Sequence, residues 1–426
     1  MTGYVIVGII LVILSIAGTP LFTITAAIAL LAFHAVGIDT AAIIIELSRL
    51  ADFPGLIAIP LFTFAGYILA ESQAPRRLMN LVQAVLGWIP GGMAVVALCT
   101  TAVFTAFTGA SGVTIIALGG LLYPALLNEG YPENFSLGLI TTSGSLGLLF
   151  PPSLPIILYA LVAKVSLDAL FIAGVLPGML LIGILSVYSI RVGVRAKVVR
   201  TAFSGANVWH SFKDAAWELP LPVLILGGIY GGAFTATEAA AITAFYAFIV
   251  EVFIRRDLKL FKDVPRIIRG SMVLVGAILI MLGAAMGLTN YLIDQEIPQT
   301  LFNIINQYVH NKYTFLIILN AILLGINMLE VFSAIIIIVP IMLPIAMKYE
   351  IDPIHMGVMF LLNLEIGYMI PPLSLNCFLT SSRFNKPLTQ VFRSVVPFLA
   401  LLLAVLMIIT YVPDLSLIFS GWWRKV

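Results

Sequence analysis

Long apolar runs alternate with short polar ones along the whole chain. The runs cover 4–17 and 18–33, split by Gly18-Thr19-Pro20, then 55–70, 92–127, 135–164, 169–190, 220–254, 271–292, 313–347, 356–384 and 395–412. One helical bilayer crossing takes about 20 apolar residues. The pattern therefore predicts an all-α chain that crosses a membrane many times. Several runs are broken inside. The breaks fall at Thr108 to Thr114, at Pro151-Pro152, near Gly231-Gly232 and Thr235, around Asn327 and Glu330, and at Pro371-Pro372. Many halves beside these breaks are too short to span alone, so they are tilted, paired or re-entrant. Segments 74–90, 207–217, 258–269 and 298–312 mix apolar and polar positions at helical spacing. They read as helices lying in the membrane interface.

Composition agrees with the pattern and removes several function classes. Of 426 residues, 61% are hydrophobic and 10% charged, with mean hydropathy +1.11. A soluble domain carries about 45–50% apolar and about 25% charged residues. A soluble enzyme, a nucleic-acid binder and a disordered chain are excluded on that ground. No long linker or low-complexity tract marks a separate soluble domain. The first apolar run continues into more apolar sequence, so no cleavable signal peptide is expected. Cys99 and Cys377 lie in apolar runs, which argues against a disulfide. His34, His210, His310 and His355 have no metal-ligand spacing. Net charge is only +2, so the distribution of charge says more than its sum.

The two halves resemble each other at an offset of 220 residues. Gly147-Leu-Leu-Phe-Pro151-Pro152 matches Gly367-Tyr-Met-Ile-Pro371-Pro372, and Pro124 matches Pro344. Each double proline follows a long apolar segment with small or polar residues at its bend. With 92–127 and 313–347 as re-entrant hairpins, the chain makes ten crossings. An N-terminus outside then puts 16 of the 22 Lys and Arg in inner loops, as the positive-inside rule requires. The first half starts outside and the second inside, so the repeats are inverted, an arrangement common in secondary transporters. Trp422-Trp423-Arg424-Lys425 reads as an interfacial anchor.

The breaks carry the candidate chemistry. Irregular backbone at membrane depth is tolerated where it is buried or lines a wet cavity. A double proline removes backbone donors and interrupts a helix, leaving carbonyls free just before it. Those carbonyls and nearby hydroxyls suit a hard cation such as sodium, and the next half-helix N-terminus suits an anion. A first sodium site would combine Thr108, Gly109 and Ser111 with Gly144, Ser145 and Gly147. A second would combine Gly325, Asn327 and Glu330 with Glu365, Gly367 and the Met369 carbonyl. Substrate would sit between the bends, near Ser153, Ser333, Ser374 and Asn376. Glycine and serine also mediate helix packing in lipid, so each cluster keeps that second reading. Glu330 and Glu365 are functional candidates because a carboxylate within an apolar span is costly; structural pairing is the alternative. Thr235 and Glu238 fit a capping box. Arg383 either orients the chain or meets a substrate carboxylate.

Several motifs resemble the large membrane subunit of tripartite ATP-independent periplasmic (TRAP) transporters. They are GASGVT at 109–114, SGSLGLLFPPSLPIILY at 143–159, GGIYGGAFTATEAAA at 227–241, PIMLPIA at 340–346 and IPPLSLNCF at 370–378. The resemblance covers nearly the whole chain and is greatest to sialic-acid-type members. It implies a sodium-driven elevator transporter of the inner membrane that imports a small carboxylate, a sialic acid or a C4-dicarboxylate. It also implies two partners, a small four-helix membrane subunit and a periplasmic substrate-binding protein. Two departures touch the second sodium site. Many relatives carry Gly-x-x-Met-Asp at the second bend, where this chain has Gly325-Ile-Asn-Met-Leu-Glu330. Relatives often have Thr-Pro-Pro-x-Gly, where this chain has Ile370-Pro371-Pro372-Leu373-Ser374.

The expected division places transport-domain segments at 92–164 and 313–384. Scaffold segments are 1–91, 165–312 and 385–426. No cofactor is expected beyond sodium as coupling ion, and no Gly-x-x-x-x-Gly-Lys-Ser/Thr loop is present. A channel, an intramembrane enzyme and a stand-alone carrier without partners are the competing functions. No His-Glu-x-x-His motif supports the enzyme.

Overall fold

The computed structural model describes residues 10–423 apart from 12, 15–18, 38, 40, 42–43, 46–47, 49–53, 199–201, 327–330 and 372–373. Its regular elements are all helical among the described residues. The first half comprises α1 (Leu21–Ala35), α2 (Ala58–Glu71), α3 (Ala74–Leu86), α4 (Gly92–Thr108), α5 (Ser111–Ala117), α6 (Gly119–Asn128), α7 (Glu133–Ser143), a 3₁₀ turn at Leu146–Leu149, and α8 (Leu154–Ala163). Next come α9 (Leu167–Ala196), α10 (Gly205–Asp214), α11 (Pro220–Tyr230), α12 (Ala236–Ile249) and α13 (Asp263–Asp294). The second half comprises α14 (Ile297–Tyr308), α15 (Lys312–Ile326), α16 (Val331–Lys348), α17 (Pro353–Gly367), α18 (Leu375–Phe384), α19 (Leu388–Tyr411) and α20 (Asp414–Trp423).

Five described helices are long and apolar enough to cross a membrane: α9, α12 with its continuation to Ile254, α13, α16 and α19. Three bent pairs also pass together. They are Gly55–Glu71 with α3 at 73°, α5 with α6 at 51°, and Glu133–Leu149 with α8 at 43°. The remaining apolar helices are shorter, and the buried ones take their place from packing. Every residue of α7 from Phe135 to Ser143 is buried, and so is every residue of α17 from Ile354 to Gly367. The two helices that precede the double prolines therefore lie at the centre. Outward faces carry exposed apolar side chains such as Val187, Phe245 and Val273, as lipid-facing surfaces do.

Packing between the halves is reciprocal. Helix α5, after the first bend, packs on α18, after the second double proline. Helix α16, after the second bend, packs on α8, after the first double proline. Small residues set the closest approaches. A Cβ on Gly138 would lie 2.2 Å from the Ser394 carbonyl oxygen, and one on Gly174 would lie 2.2 Å from that of Leu149. Such contacts bring backbones together where lipid supplies no hydrophobic drive. A polar ladder joins α15, α17 and α19. Asn363 donates to Asn320 Oδ1 at 2.8 Å, and Asn320 donates to Thr410 Oγ1 at 2.9 Å.

Three of the four expected interfacial helices form, as α3, α10 and α14, with Pro75 and Pro298 in the first turns of α3 and α14. The fourth does not form separately. Residues 263–269 are the opening turns of α13, which runs unbroken to Asp294. Only Gly270 interrupts the polarity pattern there. A lone glycine costs a helix about 1 kcal/mol, less than packing against α1 and α2 recovers. The first hairpin also bends once more than expected, at Leu118 between α5 and α6.

The expected capping box is present at the start of α12. Glu238 N donates to Thr235 Oγ1 at 3.3 Å, and Thr235 N donates to Glu238 Oε2 at 2.8 Å. Thr235→Ala should lower stability by about 1 kcal/mol, read as an earlier unfolding midpoint in detergent, with transport unchanged. A clear loss of transport at unchanged stability would contradict this structural role.

Candidate functional site

Helix α4 ends at Gly109, whose φ of 63° lies in the left-handed region. A Cβ there would fall 2.6 Å from Leu154 Cγ. Backbone geometry and crowding both call for glycine at this bend. The bend returns the chain as α5 and seats it on the α7–α8 break. A Cβ on Gly144 would meet Ile115 at 2.6 Å, and one on Gly147 would meet the Ala102 carbonyl oxygen at 2.3 Å. Glycines on the break thus let the hairpin approach its backbone.

Hydroxyls fasten the bend to the break. Thr105 Oγ1 donates to the Gly144 carbonyl at 2.9 Å and lies 2.7 Å from Thr114 Oγ1. Thr105 has one proton, so Thr114 donates to Thr105. The relay runs from α5 through α4 into the break, and all three residues are buried. Beyond it, the chain passes the 3₁₀ turn and a cis Pro151–Pro152 bond before Ser153 opens α8.

The second half reaches into the same place. Ser111 Oγ donates to Asn376 Oδ1 at 2.8 Å, while Asn376 Nδ2 donates to the Thr141 carbonyl at 3.2 Å. Thr141 Oγ1 donates to the Leu137 carbonyl at 2.7 Å and lies 3.0 Å from Thr380 Oγ1. Ser374 caps α18: its Oγ accepts from Cys377 N at 3.1 Å and donates to the Tyr368 carbonyl at 2.6 Å. Asn376 therefore ties the first bend to the last turn of α7, across 265 and 235 residues of sequence.

Of the expected first-site residues, Ser111 and Gly144 meet, with the Ser111 carbonyl oxygen 3.4 Å from a Cβ built on Gly144. Thr108, Ser111, Gly144, Ser145 and Gly147 are buried, and Gly109 forms the bend between them. Ser145 Oγ donates to the Thr142 carbonyl at 3.3 Å. Several buried oxygens on these elements have no hydrogen-bond partner among the described residues: Thr108 Oγ1, Thr142 Oγ1 and Ser153 Oγ. An unsatisfied buried hydroxyl costs about 1–3 kcal/mol. These hydroxyls stand at the end of α4, in the last turn of α7 and at the start of α8.

The second set is only partly described. Asn327 and Glu330 lie outside the described residues. Gly325 is exposed near the end of α15, and a Cβ there would meet nothing within 4 Å. Glu365, Gly367 and Met369 are buried at the end of α17 and just after it. Both Glu365 carboxylate oxygens lack a hydrogen-bond partner among the described residues. Glu365 stands at the repeat position of Ser145, so the same place in the second break carries a carboxylate. Of the expected substrate residues, Ser153 keeps a hydroxyl without a partner. Ser333 Oγ lies 3.1 Å from Met281 Sδ, and Ser374 and Asn376 are engaged as described.

Residues that sequence reading passed over are Thr105, Thr114, Thr141 and Thr380. Thr105 and Thr114 flank the glycine bend nine residues apart, a signal that hydroxyls on both arms can meet. Nothing local marks Thr141 or Thr380, which meet through folding. Arg383 lies at the other end of the hairpin. A Cβ on Gly120 of α6 would fall 2.7 Å from its guanidinium. No cluster of three His, Cys, Asp or Glu able to hold a metal occurs among the described residues.

Comparison with known proteins shows the family. The family model for the tripartite ATP-independent periplasmic transporter, DctM component, matches residues 4–415. The chain is 37% identical over 380 residues to the C4-dicarboxylate TRAP transporter large permease protein DctM of Pseudomonas aeruginosa, covering 89% of each chain. It is 35% identical over 384 residues to the isethionate TRAP transporter permease protein DctMQ of Oleidesulfovibrio alaskensis, covering 88% of this chain and 60% of that one. It is 32% identical over 364 residues to the ectoine/5-hydroxyectoine TRAP transporter large permease protein UehC of Ruegeria pomeroyi, covering 85% of each. Among solved structures, the Alcanivorax borkumensis YdaH transporter shares the fold. Its TM-score is 0.60 at 14% identity, over 86% of this chain and 87% of that one. The chain therefore belongs to the DctM component family of tripartite ATP-independent periplasmic transporters, as an inner-membrane transport protein and not an enzyme.

Proposed function

We propose that this large permease subunit imports a small organic anion, driven by sodium, through an elevator-type movement. Segments 92–164 and 313–384 form the moving transport domain, and the remaining spans form the scaffold. Buried oxygens without partners at the first break, on Thr108, Thr142 and Ser153, are the observation that carries this reading. They lie where broken helices leave carbonyls free, which is how coupling ions are held in other secondary transporters. Sodium bound there would rigidify the α4–α5 bend through Ser111 and Asn376. The start of α8 then faces an anion; at the start of α18 the Asn376 and Cys377 N–H groups are already taken by the Tyr368 carbonyl and Ser374 Oγ. Ser153 is the favoured direct contact, since Ser374 and Asn376 already serve the protein.

Two partners complete the system: a small four-helix membrane subunit and a periplasmic binding protein that delivers substrate. The name DctMQ on one relative supports a large subunit that works beside a small one. On substrate, relatives named for C4-dicarboxylates favour that class over the sialic acid expected from motif resemblance. The test is uptake of succinate and of sialic acid into liposomes holding the full chain, its small subunit and the binding protein. Accumulation in sodium and none in potassium is expected. Uptake unchanged by the swap to potassium would remove sodium coupling. Uptake that persists without the partner proteins would favour a stand-alone carrier, and flux that does not saturate would favour a channel.

A further inference from the structure

Away from the breaks, a buried cluster of charge joins α3 to the ends of α11 and α12. Arg77, only 7% exposed, lies in the first turn of α3. Its Nε donates to Glu218 Oε1 at 2.6 Å, Nη1 to Asp257 Oδ2 at 2.7 Å, and Nη2 to Glu251 Oε2 at 3.0 Å. Glu218 and Glu251 are buried, and Asp257 also accepts from Gln73 N at 2.9 Å. Arg255 approaches Glu218 from another side at 3.9 Å and Asp214 at 3.7 Å. One guanidinium thus meets carboxylates 141, 174 and 180 residues away.

Such a cluster is a poor way to gain stability. Desolvation offsets most of the attraction, and apolar residues of similar volume commonly hold a core as well. What it supplies is geometry. A planar fork bonded in three directions fixes both the place and the rotation of the turn that carries it. That turn begins α3, which packs along α4, the first arm of the first hairpin. Another of the expected interfacial helices, α14, has no charged residue; it rests on α16, and its Phe302 ring meets Tyr349 just beyond that helix. Among the described residues, α3 is fastened by buried charge and α14 is not.

We infer that Arg77 is a positioning residue for transport. It fastens α3 to α11 and α12, so that α4 travels past α3 without carrying it along. The inference rests on the moving-domain reading above.

The test uses the full chain in liposomes with its partners, carrying pairs of spin labels in a background without Cys99 and Cys377. One pair joins Asn80 on α3 to Phe245 on α12. The other joins Val103 on α4 to Phe245. Distances are measured in potassium and in sodium with succinate. The wild-type chain should give one narrow α3–α12 distance and two α4–α12 distances. Arg77→Met should broaden the α3–α12 distance and lower maximal uptake roughly tenfold, with half-saturating sodium unchanged. Arg77→Lys keeps the charge without the fork, so it should restore folding but not the narrow distance. Should Arg77→Met fold poorly, adding Glu218→Gln, Glu251→Gln and Asp257→Asn removes the carboxylates left unpaired, and the broadened distance should persist. A narrow α3–α12 distance in these variants, or maximal uptake at the wild-type level, would overturn the inference. A single α4–α12 distance in the wild-type chain would instead count against the moving domain, while the α3–α12 pair still tests the fastening.

Discussion

Replacing Gly147 by alanine should disable transport and destabilise the folded chain. The added Cβ would lie 2.3 Å from the Ala102 carbonyl oxygen, 2.4 Å from Ala106 N and 2.5 Å from Thr105 Cβ. Two of these atoms are helix backbone, which cannot swing aside as a side-chain tip can. The break must move off α4. Overpacking of this kind costs about 1–3 kcal/mol, and more where nothing yields. The same displacement pulls the Gly144 carbonyl from Thr105, only three residues away, so loss of uptake should exceed what lost folding alone explains. Gly276→Ala in α13 is the control, because a Cβ there meets nothing within 4 Å. It should be neutral or slightly stabilising, since alanine favours a helix by about 1 kcal/mol over glycine. Unfolding temperature in detergent and sodium-driven uptake are the measurements. Equal stability and uptake for the two variants would show that the break is not seated as described.

The second large effect is expected at Asn376. Leucine at this position leaves Ser111 Oγ without its acceptor and the Thr141 carbonyl without its donor. Each buried group left unpaired costs about 1–3 kcal/mol. A loss of about 1.4 kcal/mol in binding is already tenfold, so uptake should fall at least about tenfold. Asn376→Asp keeps the acceptor for Ser111 but aims an acceptor at the Thr141 carbonyl, and it should fall between leucine and the native residue. Ser111→Ala should cost less than Asn376→Leu. The double variant should cost less than the two added together, because both remove one shared bond. Strict additivity of Ser111→Ala and Asn376→Leu would refute the link between the halves.

Much of this fold is legible in the sequence because lipid removes choices. A chain with so few charges must satisfy its backbone within helices, and double prolines must break them. The breaks at Gly109 and at Pro151-Pro152, and the Thr235–Glu238 cap, follow from residues within a few positions of one another. The uninterrupted α13 was less legible, since its polar first turns and apolar remainder look like two elements until packing joins them. Least legible are the long-range pairs. Asn376 reads as a substrate contact from its position after the second break, yet its side chain is spent on Ser111 and Thr141. Arg77 reads as one of many inner positive charges. The sign that it does more is Glu251, a carboxylate in an apolar run, which must find a partner. Sequence alone does not say which arginine that partner is.

Helices α9 and α13 run for 30 and 32 residues. At 1.5 Å per residue they are about 45 Å and about 48 Å long, against a hydrocarbon layer of about 30 Å. The surplus is absorbed by inclination or by ends that stand clear of the hydrocarbon. A thinner or thicker bilayer therefore puts a mismatch load on these two longest helices, which packing against their neighbours resists.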